Sequence, residues 1–345
     1  MQPVPRLLAS PDKFRGTLNG PAAAAAIAAA GRAAGWEVEE VPVSDGGEGF
    51  LDCFSGQGRA RTTSVGDALG RPVAAPWLLL DDGRTAVIET ARAIGLTLVG
   101  GPTGNDPLAA SSAGVGQLVA AAVAAGARRL LVGLGGSATT DGGAGALSVL
   151  GGARGRLAGV EVMVACDVTT RFLDAARTFA EQKGATPPQV ALLDRRLQRM
   201  AQELQAVAGF DVAQLPGSGA AGGLAGGLAA LGATLVPGFD VVAEALDLAD
   251  RVAAADLVVT GEGLLDDQSF SGKAVGGVAA LALAAGVPVA AVVGDVEPGV
   301  QVPAGVGVVS LVARFGERRA REDAAACLSE AVAFLLADRS GAEPD

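Results

Sequence analysis

Seven carboxylates follow short apolar segments of the sequence, at points where buried strands would end. They are Asp12, Asp45, Glu48, Asp141, Asp167, Glu262 and Asp266. A single carboxylate in such a turn is most often a helix cap. Several of them in glycine-rich turns indicate instead a site for Mg²⁺ and phosphate, because hard cations prefer oxygen ligands. Lys13, Arg15, Lys183 and Lys273 lie near them in sequence, and phosphoryl transfer needs this combination of carboxylates and cations.

The chain contains no histidine, no tyrosine and only three cysteines, which lie far apart. Catalysis by a Ser-His-Asp or Cys-His pair is therefore excluded. An imidazole or multi-cysteine zinc site is excluded for the same reason. A general base must then be Asp or Glu, or less often Lys, and a metal must be held by oxygen.

Two glycine-rich segments are further candidates for binding phosphate. "GLGGSATTDGGAGAL" (133–147) follows an apolar segment and fits G-x-G-x-x-A from Gly133 to Ala138. It is typical of a phosphate or nucleotide loop, of a dinucleotide site, or of a structural turn. "PGSGAAGGLAGGLAALG" (216–232) is either a helix start that holds phosphate or a helix face packed on a neighbour. No Walker A motif is present.

The elements that must position these residues are those of an α/β protein. Short apolar strands alternate with alanine-rich helices, whereas 59–99 reads as closely spaced strands of a mixed sheet.

The 345 residues suffice for two domains, and a net charge of −11 without a basic stripe argues against nucleic acid. The apolar segment 274–294 predicts a helix, a turn at Gly286 and a strand rather than a membrane span. Scattered cysteines and the absence of a signal peptide predict a cytoplasmic protein.

The chain resembles the bacterial glycerate kinase family, which makes 2-phosphoglycerate from D-glycerate and ATP. The motifs that carry the resemblance run in family order over nearly the whole chain. They are "SPDKFRGTL" (10–18), "VPVSDGGEGF" (41–50), "LGRPV" (69–73), "TAVIE" (85–89), "GLGGSATTDGGAGAL" (133–147), "ACDVT" (165–169), "QKGAT" (182–186), "GSGAAGGL" (217–224) and "VVTGEGLLDDQSFSGK" (258–273).

The resemblance implies a flavodoxin-like parallel-sheet domain built from both chain ends, 1–58 and 236–345. A second α/β domain with a mixed sheet, 59–235, is inserted, and the active site is expected in the cleft between the domains. Three departures bear on the substrate: Arg15 stands where the family usually has Lys, Thr140 replaces the usual Asn, and 170–181 lacks the usual Gly-, Pro- and Asn-rich loop.

The predicted site follows from the motifs. We expect Asp45, Asp167, Lys13 and Arg15 to be catalytic, with Asp45 or Asp167 as the base and the two cations on the substrate carboxylate or phosphoryl group. Mg²⁺ is expected on Asp45, Asp167 and Asp266. The predicted ATP-binding residues are Gly135, Gly136, Ser137, Asp141, Gly142, Gly143, Gly217, Gly219, Gly222 and Lys273.

Other functions stay open. The G-x-G-x-x-A loop would also suit an NAD(P)-dependent oxidoreductase, and the altered 170–181 segment would suit a glycerate-kinase-like binding protein that has lost catalysis. The expected partner is a small molecule, D-glycerate, without nucleic acid or membrane; the oligomeric state is left open, including a homo-oligomer. A carboxylate base of ordinary pKa predicts kcat nearly flat from about pH 6.5 to 8.5, unless burial or a like charge raises that pKa.

Overall fold

The computed structural model describes residues 3–151, 157–270 and 272–340. The chain forms two compact units. The first comes from both chain ends, up to Asp45 and from Val242 onwards, and the second comprises Gly46–Val241. Residues 46–58 and 236–241 thus group with the second unit, and the domain boundaries expected at 58/59 and 235/236 stay a prediction.

The strands, in chain order, are β1 (Arg6–Ala9), β2 (Glu37–Glu40), β3 (Gly58–Gly66), β4 (Pro72–Leu80), β5 (Thr85–Glu89), β6 (Arg129–Gly133), β7 (Glu161–Cys166), β8 (Thr234–Pro237), β9 (Leu257–Thr260), β10 (Leu264–Leu265), β11 (Val289–Val293), β12 (Asp295–Val296) and β13 (Val306–Ser310).

The helices are α1 (Gly20–Ala33), α2 (Ala91–Ile94), α3 (Gly101–Gly104), α4 (Ala113–Ala124), α5 (Ala144–Leu150), α6 (Ala175–Phe179), α7 (Pro187–Ala208), α8 (Leu224–Ala230), α9 (Gly238–Ala245), α10 (Leu248–Ala253), α11 (Ala274–Ala285), α12 (Leu311–Phe315), α13 (Glu317–Glu322) and α14 (Ala324–Ser340). Short 3₁₀ turns lie at Leu51–Phe54, Phe172–Asp174, Glu181–Lys183, Val212–Gln214 and Ala220–Gly223.

The first unit contains a five-stranded parallel sheet in the order β13-β11-β9-β1-β2. Counted among the five strands of this sheet and read from β2, the order is second, first, third, fourth, fifth, which is the flavodoxin-like order. One face packs on α1 and α14 through side chains such as Ile27 and Leu328. Val275 of α11 packs with Ala291 and Val293 in a separate cluster. Helices on both faces explain why β9 and β11 are wholly buried and rich in valine.

The second unit contains a six-stranded mixed sheet in the order β3-β4-β5-β6-β7-β8. The pairs β3–β4 and β4–β5 are antiparallel, and β5 to β8 run parallel. Its core joins the sheet to α4 and α8 through residues such as Leu118, Leu130 and Leu228. The parallel first sheet and the separate mixed sheet confirm the predicted fold class.

Several element boundaries differ from the sequence-based expectation. The strand predicted over 306–313 ends at Ser310, whose hydroxyl accepts a hydrogen bond from the Ala313 amide and so starts α12. The single helix predicted over 318–338 is divided at Asp323 into α13 and α14. The apolar 274–294 segment folds as predicted: α11 ends before Gly286, whose φ is +70°, and β11 follows. No helix in the described ranges is long and apolar enough to cross a membrane.

Candidate active site

In the first unit, three neighbouring strands deliver polar side chains to one sheet edge. Backbone pairing continues beyond the ends of β2, β1 and β9: the Val41 amide donates to the Ala9 carbonyl, and the Asp12 amide donates to the Gly261 carbonyl, both over 2.8 Å. The carboxylates that follow these strands are therefore brought to the same edge. This edge lies where the strand order reverses between β1 and β9, which is the usual ligand position of open parallel sheets.

Lys13 lies between two of these carboxylates. Its Nζ is 3.7 Å from Asp12 Oδ1 and 3.8 Å from Asp45 Oδ1. Asp12 is buried, and its Oδ1 accepts a hydrogen bond of 2.6 Å from the Lys13 amide. Burial, the largest influence, raises the pKa of Asp12 to about 6; Lys13 lowers this pKa and the charge of Asp45 raises it. Asp12 and Asp45 therefore both lie beside the Lys13 ammonium, and their negative charges repel each other.

Glu262 follows β9 at the same edge. Its backbone is fixed, because the Gly294 amide donates to its carbonyl oxygen over 2.9 Å. Its Oε1 is buried, and no described residue offers it a hydrogen bond. Burial, the largest influence, raises the pKa of Glu262 to about 7. The charges of Asp12 and Asp266 also raise this pKa, whereas Ser269 and Lys273 lower it. A buried carboxylate oxygen without a partner is costly to a fold, which suggests that a ligand uses it.

Asp266, Lys273 and Arg15 complete this group. Asp266 Oδ1 accepts hydrogen bonds from the Ser269 amide and hydroxyl, at 3.0 and 3.2 Å, so it shapes the loop before α11. Lys273 precedes α11 and is near enough to Glu262 to lower its pKa. Arg15 is exposed, and its amide nitrogen lies so near Gly263 that a Cβ there would approach to 2.9 Å.

No three acidic or cysteine side chains of the described residues are grouped to form a metal site on their own. This does not decide against Mg²⁺, because Mg²⁺ usually takes one or two protein carboxylates and completes its shell with phosphate and water. The carboxylates of the first unit offer oxygen donors only. Their mutual repulsion would be relieved by a hard cation, so the donor set fits Mg²⁺.

In the second unit, the glycine loop after β6 lies against the loop "DGGEGF". A Cβ on Gly135 would come within 2.5 Å of Gly47 Cα, and one on Gly133 within 2.6 Å of the Phe50 ring. These positions are therefore glycine because two backbone segments meet there. The amides of Gly135, Gly136 and Ser137 donate to no acceptor among the described residues, as expected for amides that could receive phosphate.

The next residues of the loop are already hydrogen-bonded within the protein. Asp141 accepts four hydrogen bonds, from the Ser112 amide and hydroxyl at 2.8 Å each and from the Gly143 and Gly145 amides at 3.0 and 3.1 Å. The Gly142 amide donates to the Gly222 carbonyl over 3.0 Å. Asp141 therefore holds the amides at the start of α5, and the Gly142 and Gly143 amides would have to leave their present acceptors to bind phosphate.

Lys183 supports the same loop from inside. Its side chain is buried, and Nζ donates to Thr139 O over 2.7 Å and to Ser137 Oγ over 3.1 Å. Asn105 donates to Ala138 O and to Lys183 O, at 3.1 and 2.8 Å. Burial lowers the pKa of Lys183 to about 8, while the charge of Asp141 raises it. The sequence identified Lys183 as a nearby cation but gave no sign that it is buried.

The second glycine segment packs on the first. A Cβ on Gly222 would reach 2.0 Å from Thr139 O, and one on Gly219 would reach 2.4 Å from Arg171 O. The Gly219 amide is occupied, since it donates to Thr170 O over 3.0 Å. The α-helix begins only at Leu224, after left-handed residues at 221–223. Gly217 lies beside Cys166, near the end of β7. Close packing thus accounts for much of the glycine in this segment.

Glu89, in the motif "TAVIE", has a structural role that the sequence did not reveal. It is buried at the end of β5, and it accepts a hydrogen bond of 3.0 Å from the Leu51 amide. Arg92 Nε lies 3.2 Å from Glu89 Oε1, and Arg92 also donates to both oxygens of Asp52 at 3.0 Å. Burial raises the pKa of Glu89, whereas the Leu51 hydrogen bond and Arg92 lower it. Glu89 therefore fixes to the sheet the 3₁₀ turn that directly follows the "DGGEGF" loop.

The predicted site residues thus fall into two groups. Lys13, Arg15, Asp45, Asp266 and Lys273 belong to the first unit. Asp167, exposed after β7, belongs to the second unit with Gly135, Gly136, Ser137, Asp141, Gly142, Gly143, Gly217, Gly219 and Gly222. The sequence placed Asp12 and Glu262 at strand ends without selecting them for the site. The sequence did not indicate that Asp12 is buried or that Glu262 Oε1 is enclosed, and only the motifs around them could have signalled it.

Comparisons with known proteins identify the family of this chain. The family model described as "Glycerate kinase family" matches residues 7–155 and 152–337. Glycerate kinase of Bacillus subtilis (strain 168) is 37% identical over 326 residues, 84% of this chain and 85% of that protein. Glycerate 2-kinase of Escherichia coli (strain K12) is 36% identical over 325 residues, with the same coverage.

A solved structure agrees in fold over nearly the full length. The crystal structure titled for glycerate kinase 2 from Salmonella typhimurium LT2 superposes with a TM-score of 0.84 at 32% identity, covering 98% of this chain and 99% of that one. The sequence and fold comparisons thus agree, and this chain is an enzyme that belongs to the glycerate kinase family.

Proposed function

We propose that the enzyme transfers the terminal phosphoryl group of ATP to D-glycerate and forms 2-phosphoglycerate with the help of Mg²⁺. The observation that carries the proposal is the group of Asp12, Lys13, Asp45, Glu262 and Lys273 at the reversal point of the parallel sheet. It combines carboxylates for proton transfer and metal binding with cations for an anionic substrate, as phosphoryl transfer requires. Family membership supports the kinase reaction over an oxidoreductase.

The cations are assigned to the substrate. Lys13 is only partly buried and lies between two carboxylates, and Arg15 is exposed on the same loop. Their charges suit the glycerate carboxylate or the phosphoryl group in transfer. Because Lys13 is flanked by Asp12 and Asp45, its orientation is fixed before the substrate binds, which lowers the entropic cost of binding.

Glu262 is the best-placed general base of the first unit. The reaction requires a base that takes the proton of the substrate hydroxyl while that oxygen attacks the terminal phosphorus. Glu262 Oε1 is buried and has no hydrogen-bond donor among the described residues, so a substrate hydroxyl could serve as its donor. Asp45, one of the two bases expected from the sequence, then serves with Asp266 as a proposed metal ligand in the first unit, and the metal-ligand role expected for Asp167 stays a prediction. Bound Mg²⁺ would offset the negative charge of the phosphate oxygens.

Substrate and product can be tested with the purified protein. We expect Mg²⁺-dependent ADP release with D-glycerate, little release with glycerol, and 2-phosphoglycerate as the product in a ³¹P NMR spectrum. Glycerol lacks the carboxylate that Lys13 and Arg15 are proposed to bind, so it is the matched control. Equal turnover of glycerol would contradict the substrate assignment. The absence of any turnover, with nucleotide still bound, would favour the binding protein that has lost catalysis.

The remaining parts of the proposal concern the cellular setting. We propose a cytoplasmic enzyme, since its three cysteines are free thiols. Small molecules rather than nucleic acid are the proposed partners, because the net charge is −11. Self-association stays open, and size-exclusion chromatography with light scattering would measure it.

A further inference from the structure

The contact between Lys183 and Ser137 determines the direction of a hydrogen bond inside the glycine loop. Ser137 Oγ lies 3.1 Å from Lys183 Nζ. A charged ammonium group donates hydrogen bonds and accepts none, so Ser137 Oγ must be the acceptor while Lys183 is protonated. The hydroxyl proton of Ser137 is then left over, and no described residue accepts it. Ser137 is 5% exposed, so part of the residue stays accessible to a ligand.

The backbone beside this hydroxyl offers donors as well. The amides of Gly135, Gly136 and Ser137 have no acceptor among the described residues. The carbonyl oxygens of residues 136, 138 and 139 are all occupied by donors from outside the loop, which are the Leu96 amide, the Asn105 side chain and Lys183 Nζ. Residues 135–137 therefore present donors whose neighbouring acceptors are engaged, which suits an anionic group.

The charge of Lys183 is enclosed, and one acidic group of the loop acts on it. The 3₁₀ turn Glu181–Lys183 packs against α3 and α6, and Glu181 itself is exposed. The helix α3 contains no charged residue, and α6 contains Arg177, which pairs with Asp194 of α7 over 2.9 Å. Burial lowers the pKa of Lys183 to about 8, while the charge of Asp141 raises it. Lys183 can therefore lose its proton within the pH range of an ordinary enzyme assay.

We propose that Lys183 is a positioning residue that keeps the Ser137 hydroxyl as a hydrogen-bond donor toward an anionic group bound at residues 135–137. While Lys183 is charged, Nζ donates to Ser137 Oγ, and the hydroxyl proton is available to the ligand. When Lys183 loses its proton, Nζ gains a lone pair and the hydroxyl can donate to it. The Ser137 oxygen then presents a lone pair to the anion, which weakens binding.

The inference rests on the proposed function, under which the anionic group is a phosphate or carboxylate of one of the two reactants. It goes further by giving Lys183 a role that depends on its charge and acts through Ser137. A lysine that merely supported the loop would need its hydrogen bonds, but it would not set the direction of the bond to Ser137. The two roles therefore differ in their pH dependence.

The first test is the pH profile of kcat/KM for Mg·ATP and for D-glycerate, measured with the purified protein. Since kcat/KM reports the ionisations of the free enzyme, we expect it to fall in wild type as pH rises through about 8. Ser137→Ala should lower kcat/KM near neutral pH about tenfold or more, as loss of a hydrogen bond to a charged group suggests. It should also remove the alkaline fall. The reactant whose kcat/KM changes identifies the anionic group.

Three further variants separate this role from support of the loop. In Lys183→Met, adding Ser137→Ala should cost much less than it does in wild type, because the two residues act as one unit. Asn105→Ala removes a side chain that holds the same loop through Ala138 O but leaves the ammonium, so it should keep the alkaline fall. Gln182→Met is the matched control, since Gln182 is an exposed neighbour of Lys183, and its profile should match that of wild type.

A binding measurement keeps this inference separate from the kinase function. The probe is sulfate in a calorimetric titration, because its charge does not change over the pH range of the profile. Wild type should bind sulfate about tenfold more tightly than Ser137→Ala near neutral pH, and equally well once the pH is well above the Lys183 pKa of about 8.

The outcomes distinguish the two proposals. A protein that releases no ADP would contradict the kinase function, while sulfate binding would still decide the role of Lys183. An alkaline fall that persists in Ser137→Ala would overturn the inference, as would a sulfate affinity that differs from that of Ser137→Ala by the same factor at every pH. If Lys183→Met fails to fold, the comparison of wild type with Ser137→Ala still decides.

Discussion

The buried ammonium of Lys183 donates a hydrogen bond of 2.7 Å to the carbonyl oxygen of Thr139. It thereby connects the motif "QKGAT" to the glycine loop, 44 residues earlier in the chain. A charge this deep is tolerated because Ser137 and Thr139 accept its hydrogen bonds and Asp141 is near. The conformation of the glycine loop therefore depends on Lys183, a residue that lies outside the loop in the sequence.

Lys183 should give the stability of the protein a distinctive pH dependence. Its folded-state pKa of about 8 lies below the ordinary value of 10.5. Between these values the unfolded chain binds a proton that the folded chain does not, so the free energy of unfolding contributed by Lys183 rises with pH. In urea unfolding from pH 7 to 10, we expect the difference between wild type and Lys183→Met to grow as pH rises. Lys273→Met is the control, since Lys273 is only partly buried; a flat difference for Lys183→Met would contradict the prediction.

Glu262 should determine the acid side of the activity profile. A general base must be ionised to accept a proton, and burial raises the pKa of Glu262 to about 7. The neighbouring groups that also act on this pKa are Asp12, Asp266, Lys273 and Ser269. We therefore expect kcat/KM to fall as pH falls through about 7, in contrast to the flat profile expected for an ordinary carboxylate. Glu262→Gln should lower kcat by about 10²-fold or more.

The control for that prediction is Glu297→Gln, which changes an exposed glutamate of the same unit. Its profile should match that of wild type. If Glu262→Gln keeps both the acid limb and most of the activity, the base is elsewhere, and Asp45 and Asp167 become the first alternatives.

Asp45 and Asp167 should affect turnover through charge rather than folding. Asp45 lies 3.8 Å from Lys13 Nζ with its side chain 17% exposed, and Asp167 is exposed. We expect Asp45→Asn and Asp167→Asn to fold normally and to lower kcat by about 10²-fold, with a higher Mg²⁺ requirement if they hold the metal. The measurement is kcat against Mg²⁺ concentration with circular dichroism as a folding check. Normal kcat in both variants would place the metal site elsewhere.

Gly135 should tolerate no side chain, although its backbone is not left-handed. A Cβ there would lie 2.5 Å from Gly47 Cα and 2.7 Å from the Glu48 nitrogen, both of them backbone atoms. Gly135→Ala should therefore lower the unfolding midpoint and reduce activity, as expected for overpacking, which costs about 1–3 kcal/mol. Gly66→Ala is the matched control, because its Cβ would meet nothing nearer than 3.6 Å. Equal thermal stability of the two variants would show that the loops can separate without cost.

Much of the fold was predictable because its elements carry local signals. The alternation of apolar strands with alanine-rich helices gave the α/β class, and Gly286 with Pro288 separated α11 from β11. Less predictable was the division of the last helical segment at Asp323 and the end of the final strand at Ser310. Those boundaries depend on a side-chain cap and on tertiary packing rather than on the hydrophobic pattern.

The sequence by itself determined which chemistry is open to this protein: without histidine or clustered cysteine it must use carboxylates, lysine, arginine and backbone amides. It also placed those groups at strand ends, since strand periodicity is a local property. Tertiary structure alone decided which of them are buried and what they contact. Glu262 Oε1 lost its contact with solvent, Lys183 entered the interior and Asp141 acquired four donors. The reason is physical: burial, pKa and hydrogen bonding depend on neighbours that are distant in the chain, and a residue's type and spacing do not contain them.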